Sequence, residues 1–116
     1  MEILPNGEKI VYSYDRSSNI THKVKIKNET IKENINYQYD ASGRLIKEKC
    51  YDGTNFKYNY GYKYNQSGDI LEKIEYNISD VIISKEVYNY STTNSSQLLS
   101  INKINTNNEI IETKTI

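Results

Sequence analysis

A tyrosine pair recurs along this chain at a nearly constant interval, and that interval constrains the fold more than any other feature. Tyr12-Ser13-Tyr14-Asp15 returns as Tyr37-Gln38-Tyr39-Asp40, as Tyr62-Lys63-Tyr64-Asn65 and as Tyr88-Asn89-Tyr90-Ser91. The second tyrosines of successive copies stand 25, 25 and 26 residues apart. The residues after each pair repeat as well. Ala41-Ser42-Gly43-Arg44-Leu45 matches Gln66-Ser67-Gly68-Asp69-Ile70, and Arg16-Ser17-Ser18-Asn19-Ile20 is the same pattern without its glycine. The fourth copy carries a longer insert, Thr92 to Gln97, before Leu98. A fixed period of this length marks a repeat architecture, in which each unit packs against its neighbours and the terminal copies are atypical.

One copy can be read physically. Side chains alternate along a strand, so Tyr-x-Tyr sets two rings on one face. The Asp or Asn that comes next starts a turn, because its short side chain bonds backbone two residues on. Glycine then supplies a residue tolerant of positive φ. A second turn must bring the chain back. Asp52-Gly53-Thr54-Asn55 carries a strong hairpin signal, and Asn28-Glu29-Thr30, Ile78-Ser79-Asp80 and Asn105-Thr106-Asn107-Asn108 stand at equivalent places. Two strands of about nine residues and two short turns fill the period.

The pattern predicts an all-β chain of nine strands, at 8–15, 19–27, 31–40, 44–51, 55–65, 69–77, 81–90, 98–104 and 109–115. Phe56, Tyr58, Tyr60, Tyr62 and Tyr64 alternate with Lys57, Asn59, Gly61 and Lys63, which a helix cannot explain. Short turns between strands imply an antiparallel meander of hairpin repeats, a twisted sheet. Residues 1–116 are expected to form a single repeat domain, with copies beginning near 12, 37, 62 and 88 and a terminal strand within 105–116.

Composition narrows the function classes. Only 36% of residues are apolar, which suits a thin sheet with wet faces better than a thick core. Twelve tyrosines and regularly spaced Ile, Val and Leu argue against disorder, whose expected place is the Asn-rich stretch from Ser91 to Asn108. Fifteen basic and fifteen acidic side chains cancel, so the basic footprint of a nucleic-acid binder is missing. No apolar run is long enough to span a bilayer, and Met1-Glu2-Ile3-Leu4-Pro5 lacks the pattern of a signal peptide. The single cysteine, Cys50, leaves no internal disulfide framework.

The string Tyr37-Gln38-Tyr39-Asp40-Ala41-Ser42-Gly43-Arg44-Leu45 resembles the signature of YD repeats, also called RHS repeats, which read roughly Tyr-x-Tyr-Asp-x-x-Gly-Arg-Leu. Tyr62 to Ile70 is similar, with Asn65 for Asp, Asp69 for Arg and Ile70 for Leu. The first copy keeps Tyr12, Tyr14 and Asp15, and the last keeps Tyr88 and Tyr90. The resemblance implies a long spiralling sheet of hairpins, used in that family as the shell of polymorphic toxins and in wall-associated surface proteins. It implies a secreted or cell-surface setting if this chain is part of such a protein. Four copies are too few to close a shell, so the resemblance points to a segment or a small relative.

Candidate chemistry is sparse. His22 and Cys50 are each the only one of their kind, too few for a zinc site, and neither lies in a nucleophile motif. His22 is read as an ordinary strand residue and Cys50 as a packed small hydrophobe. Asp15, Asp40, Asp52, Asp69 and Asp80 give one acid per turn, without the dense oxygen ligands of a calcium loop. No catalytic residue, metal or cofactor is therefore assigned. The motif tyrosines Tyr12, Tyr14, Tyr37, Tyr39, Tyr62 and Tyr64 repeat with the architecture and are read as packing. Tyr51, Tyr58, Tyr60 and Tyr76 lie outside the motif and are the binding candidates, for a glycan or a protein. The expected role is a non-enzymatic structural and interaction module. Its partners are adjacent repeats, or further copies joined through open sheet edges. The alternative is a carbohydrate- or protein-binding module that uses exposed tyrosines.

Overall fold

The computed structural model describes residues 1–94 and 97–116, so Ser95 and Ser96 of the predicted insert lie outside the described residues. The chain is all-β. Its strands are β1 (Glu2–Ile3), β2 (Lys9–Tyr14), β3 (Ile20–Lys27), β4 (Thr30–Tyr39), β5 (Leu45–Asp52), β6 (Asn55–Tyr64), β7 (Ile70–Tyr76), β8 (Ile82–Tyr90), β9 (Leu98–Ile104) and β10 (Ile110–Thr115). They succeed one another in the sheet in chain order, an antiparallel meander. Each of the nine predicted strands is present, with ends within one residue of those expected. The tenth, β1, pairs with β2 over only two positions, Glu2 opposite Ile10 and Ile3 opposite Lys9. The chain divides into two compact units, residues 1–59 and 60–116, with the boundary inside β6.

One loop design explains why the repeat folds as it does. In the first copy the Asp15 carboxylate accepts the N–H groups of Ser17 (2.9 Å) and Asn19 (3.0 Å). The backbone closes around it: Ser18 N–H donates to the Asp15 carbonyl and Asp15 N–H donates to the Asn19 carbonyl. This is a type I turn capped by a left-handed residue. Asp40, Asn65, Asn77 and Asn105 build the same loop. The fourth loop residue has positive φ every time, at Ser18 (67°), Gly43 (80°), Gly68 (88°), Asp80 (64°) and Asn108 (60°). The glycine missing from the first copy is thus replaced by a serine held in the same conformation. The loops at Asn77 and Asn105, which come after no Tyr-x-Tyr pair, have the same hydrogen bonds as those that do.

The remaining returns differ. Asn28 and Glu29 both take positive φ (51° and 63°), a two-residue turn matched to the strand twist. Gly53 turns the β5–β6 hairpin, and its N–H reaches the carbonyl of Lys32 on β4 at 3.0 Å.

In residues 1–59 the register sets Ile35 opposite Cys50 and opposite Lys23, with Lys23 opposite Tyr12. Ile10, Ile35 and Cys50 are the buried apolar side chains there. Lysine stems beside them cover apolar surface while their ammonium groups stay wet, and Lys25 and Lys23 pair with Glu8 (3.3 Å) and Glu33 (3.8 Å). Among the described residues of 60–116, Ile74 is the buried apolar side chain, opposite both Gly61 and Lys85. Gly61 has a packing reason. A Cβ there would lie 2.8 Å from the Tyr76 ring, so the missing side chain makes room for that ring across β6.

Candidate functional site

The second tyrosine of each copy sits at a register shift. The irregularities fall between Ser13 and Tyr14, Gln38 and Tyr39, Lys63 and Tyr64, and Asn89 and Tyr90. A bulge re-aims the side chain next to it. Tyr39 is aimed back across β3, where its hydroxyl donates to the Ile20 carbonyl at 2.7 Å. Tyr90 does the same across β7, donating to the Ile70 carbonyl. Ile20 and Ile70 hold the same place in the first and third copies, the residue that re-enters a strand after the Asx loop. The motif tyrosine of one copy therefore ties its strand to the preceding copy. Burial holds the hydroxyls of Tyr39 and Tyr90 above the usual phenol range, with the charge of Asp15 adding at Tyr39 and that of Asp69 at Tyr90.

Tyr39 also borders a concavity of residues 1–59. The Asp15 and Asp40 loops border an open groove of about 720 Å³, whose lining includes Tyr37, Tyr39, Gln38 and Ile46. The Asp15 carboxyl is held below the usual range chiefly by the Asn19 N–H, and Asp40 likewise by the Arg44 N–H. The Arg44 side chain adds an ion pair to Asp40 at 3.0 Å. Burial pushes Tyr37 up to about 12, with Glu48 as the next cause. The groove offers ring surface, hydroxyls and carboxylate oxygens. It contains neither a histidine nor a cysteine.

The four tyrosines singled out from the sequence lie in different settings. Tyr51 packs edge-on against Phe56 at 6.0 Å between centroids, with the Lys49 ammonium 6.0 Å from its ring. Tyr58 reaches the side chains of Glu48 and Cys50, and burial, with Glu48 as the next cause, pushes its hydroxyl upward. The Lys73 ammonium stands 4.2 Å from the centroid of Tyr60, a cation–π distance. Tyr76 covers Gly61. Within residues 60–116, Tyr60 is opposite Glu75, so Tyr76, the next residue along β7, points to the other face. The two do not form one surface.

Tyr60 borders a second, smaller depression of about 200 Å³ with Lys73, Glu75, Ser84, Glu86 and Lys103. The register explains its alternating charge. Tyr62, Lys73, Glu86, Lys103 and Glu112 stand directly opposite one another in a single row across β6 to β10.

His22 lies on β3 opposite Ser13 and Asn36, and its ring shares a hydrogen bond with the Asn34 side chain. Cys50 is a buried thiol pushed up by burial, the opposite of what an activated nucleophile needs. Among the described residues, no group of three or more His, Cys, Asp and Glu is placed to hold a metal ion. Among them, too, no helix is long and apolar enough to cross a membrane.

Sequence reasoning assigned Tyr37, Tyr39, Asp15 and Asp40 to packing and turns and so passed over the groove they border. The signal was the period itself, because equal spacing sets one Asx loop beside the next. No protein-family model matches the chain, and no curated protein matches it.

Proposed function

We propose that this chain is a non-enzymatic structural and interaction module. On this reading it is a stretch of hairpin-repeat sheet of the YD or RHS kind, a segment or small relative of surface or toxin-associated proteins of that type. The tie from motif tyrosine to preceding copy carries the reading. The residue that defines the repeat spends its hydroxyl on the neighbouring repeat, as Tyr39 does on Ile20 and Tyr90 on Ile70. Chains of this design gain stability from nearest-neighbour contacts and extend by adding copies.

A one-repeat insertion tests it. A second copy of residues 37–61, placed after Gly61, lengthens the 116-residue chain by one period without changing phase. A repeat scaffold absorbs the insertion, keeps its β circular dichroism and raises the urea m-value by about a fifth, since m scales with the surface exposed on unfolding. An inserted chain that cannot fold would sink the reading.

A second reading, capture of a glycan or protein by tyrosine surfaces, is favoured by the groove at Tyr37 and Tyr39 and by the Tyr60 depression. A glycan array probed with the wild-type chain and with Tyr37→Ala and Tyr60→Ala tests it. A signal lost in a variant that keeps its fold would put this reading first.

A further inference from the structure

We propose that β10 is a homodimerisation edge, which pairs antiparallel with β10 of a second copy about a twofold axis through Thr113. The inference rests on the structural-module reading and names its partner. Three independent features of the strand lead to it.

The first is hydrogen-bond parity. In an antiparallel pair, successive residues alternate between bonding inward and facing outward. Ile116 N–H donates inward, to the Leu99 carbonyl of β9 at 3.0 Å. The register runs unbroken from Glu112 opposite Lys103 to Thr115 opposite Ser100. Glu112 and Lys114 therefore also bond inward, while Thr113 and Thr115 turn N–H and C=O outward. All six residues of β10 are exposed, and β10 pairs only with β9 among the described residues. The opposite edge strand, β1, is two residues long and offers far less.

The second is charge. Two edges can join only with outward residues facing outward residues, so a twofold axis must pass through a residue of this strand. An axis at Glu112 would set like carboxylates face to face, and one at Lys114 would do the same with ammonium groups. An axis at Thr113 sets Glu112 opposite the partner's Lys114, and Lys114 opposite the partner's Glu112. Opposite charges in this position stabilise a sheet, and like charges weaken it. The pairing also continues the existing row. Lys73, Glu86, Lys103 and Glu112 alternate in sign across β7 to β10, and the partner's Lys114 is the next cation in line.

The third is apolar exposure. Ile110 (59%), Ile111 (56%) and Ile116 (71%) are among the most exposed large hydrophobic residues of the chain. They lie at or just beyond the two ends of the strand, so antiparallel pairing brings Ile110 and Ile111 of each copy near Ile116 of the other. An exposed edge with hydrophobic flanks invites strand addition.

Sedimentation equilibrium of the 116-residue chain over a hundredfold concentration range tests the proposal. The wild type should shift from monomer to dimer. Thr113→Pro removes an outward N–H that β9 does not use, so it should keep the β spectrum and abolish the dimer. It also removes the Thr113 hydroxyl's hydrogen bond to the Asn102 side chain, so the fold is checked by the β spectrum and by a cooperative melt and not by an unchanged melting temperature. Glu112→Lys and Lys114→Glu should each weaken self-association at least tenfold. An equimolar mixture of the two should dimerise again, because each then opposes the other's charge. A wild type that stays monomeric throughout overturns the proposal. So does a Thr113→Pro variant that folds and still dimerises, or a mixture that fails to associate when the wild type does. Those outcomes leave the repeat-scaffold reading standing, since the insertion experiment judges it separately.

Discussion

Replacing Tyr39 with Phe removes a single oxygen, the hydroxyl that donates to the Ile20 carbonyl at 2.7 Å. The ring and its packing stay, so no cavity term enters. An intramolecular hydrogen bond contributes about 0.5–1.5 kcal/mol net, and both partners here are only partly buried, which places the expected loss near 1 kcal/mol. For a chain of this length that is roughly 3–5 °C in melting temperature. Urea denaturation monitored by far-ultraviolet circular dichroism reads it as a lower midpoint at unchanged m. Tyr14→Phe is the internal control. Tyr14 is the equivalent residue of the first copy, but it is 59% exposed and its described contact is with the Tyr12 ring, 6.3 Å away. Its variant should fall within about 0.5 kcal/mol of wild type. Equal losses at the two positions, or no loss at Tyr39, would refute the claim that the motif tyrosine ties one repeat to the previous one.

Other substitutions and a pH titration test the remaining physical claims. Gly61→Ala should cost about 1–3 kcal/mol, because the new Cβ meets the Tyr76 ring. In a double-mutant cycle most of that cost should vanish when Tyr76 is already Ala, and additive losses would show that the ring is not the obstacle. Glu29→Gly should stabilise by about 0.5–1 kcal/mol, since left-handed strain of about 1–2 kcal/mol outweighs the extra chain entropy of glycine, a gain checked by the urea midpoint. Tyr37 titrates near 12 in the folded chain against an ordinary value of 10.0. Its raised value gives stability that is complete below pH 10 and is lost as pH rises towards 12. The melting temperature of Tyr37→Phe should accordingly fall less steeply than that of wild type between those two pH values, and parallel curves would contradict the assignment.

How far the sequence alone reached depends on the range of the forces involved. Strand positions and turns depend on neighbours two to five residues away. Tyr-x-Tyr alternation, Asx side chains and glycine at the fourth loop position therefore placed nine strands and their antiparallel order. The same locality hid other features. Ser18 and Asn108 adopt the conformation that glycine holds elsewhere in the repeat, because the loop's hydrogen bonds impose it. Asn77 and Asn105 stand at turns legible in the sequence, but they follow no Tyr-x-Tyr pair, so the repeat signature does not mark that they build the same loop as Asp15. The roles of Tyr39 and Tyr90 depend on carbonyls 19 and 20 residues back, which only the folded sheet brings within reach.

The candidate site divides the same way. The sequence by itself determined that histidine and cysteine occur once each and that tyrosines alternate along the strands. Only the tertiary structure decided which tyrosines are available to what. It placed Lys73 over Tyr60, fitted Tyr76 onto Gly61, and opened a groove between two Asx loops beside Tyr37 and Tyr39. It also decided the sign of each neighbour along the row from Tyr62 to Glu112, because register is a contact between strands and not a property of any one of them. Alternation along the chain fixes a side chain's face. The residue that stands opposite it is settled only when the bulges have set the register.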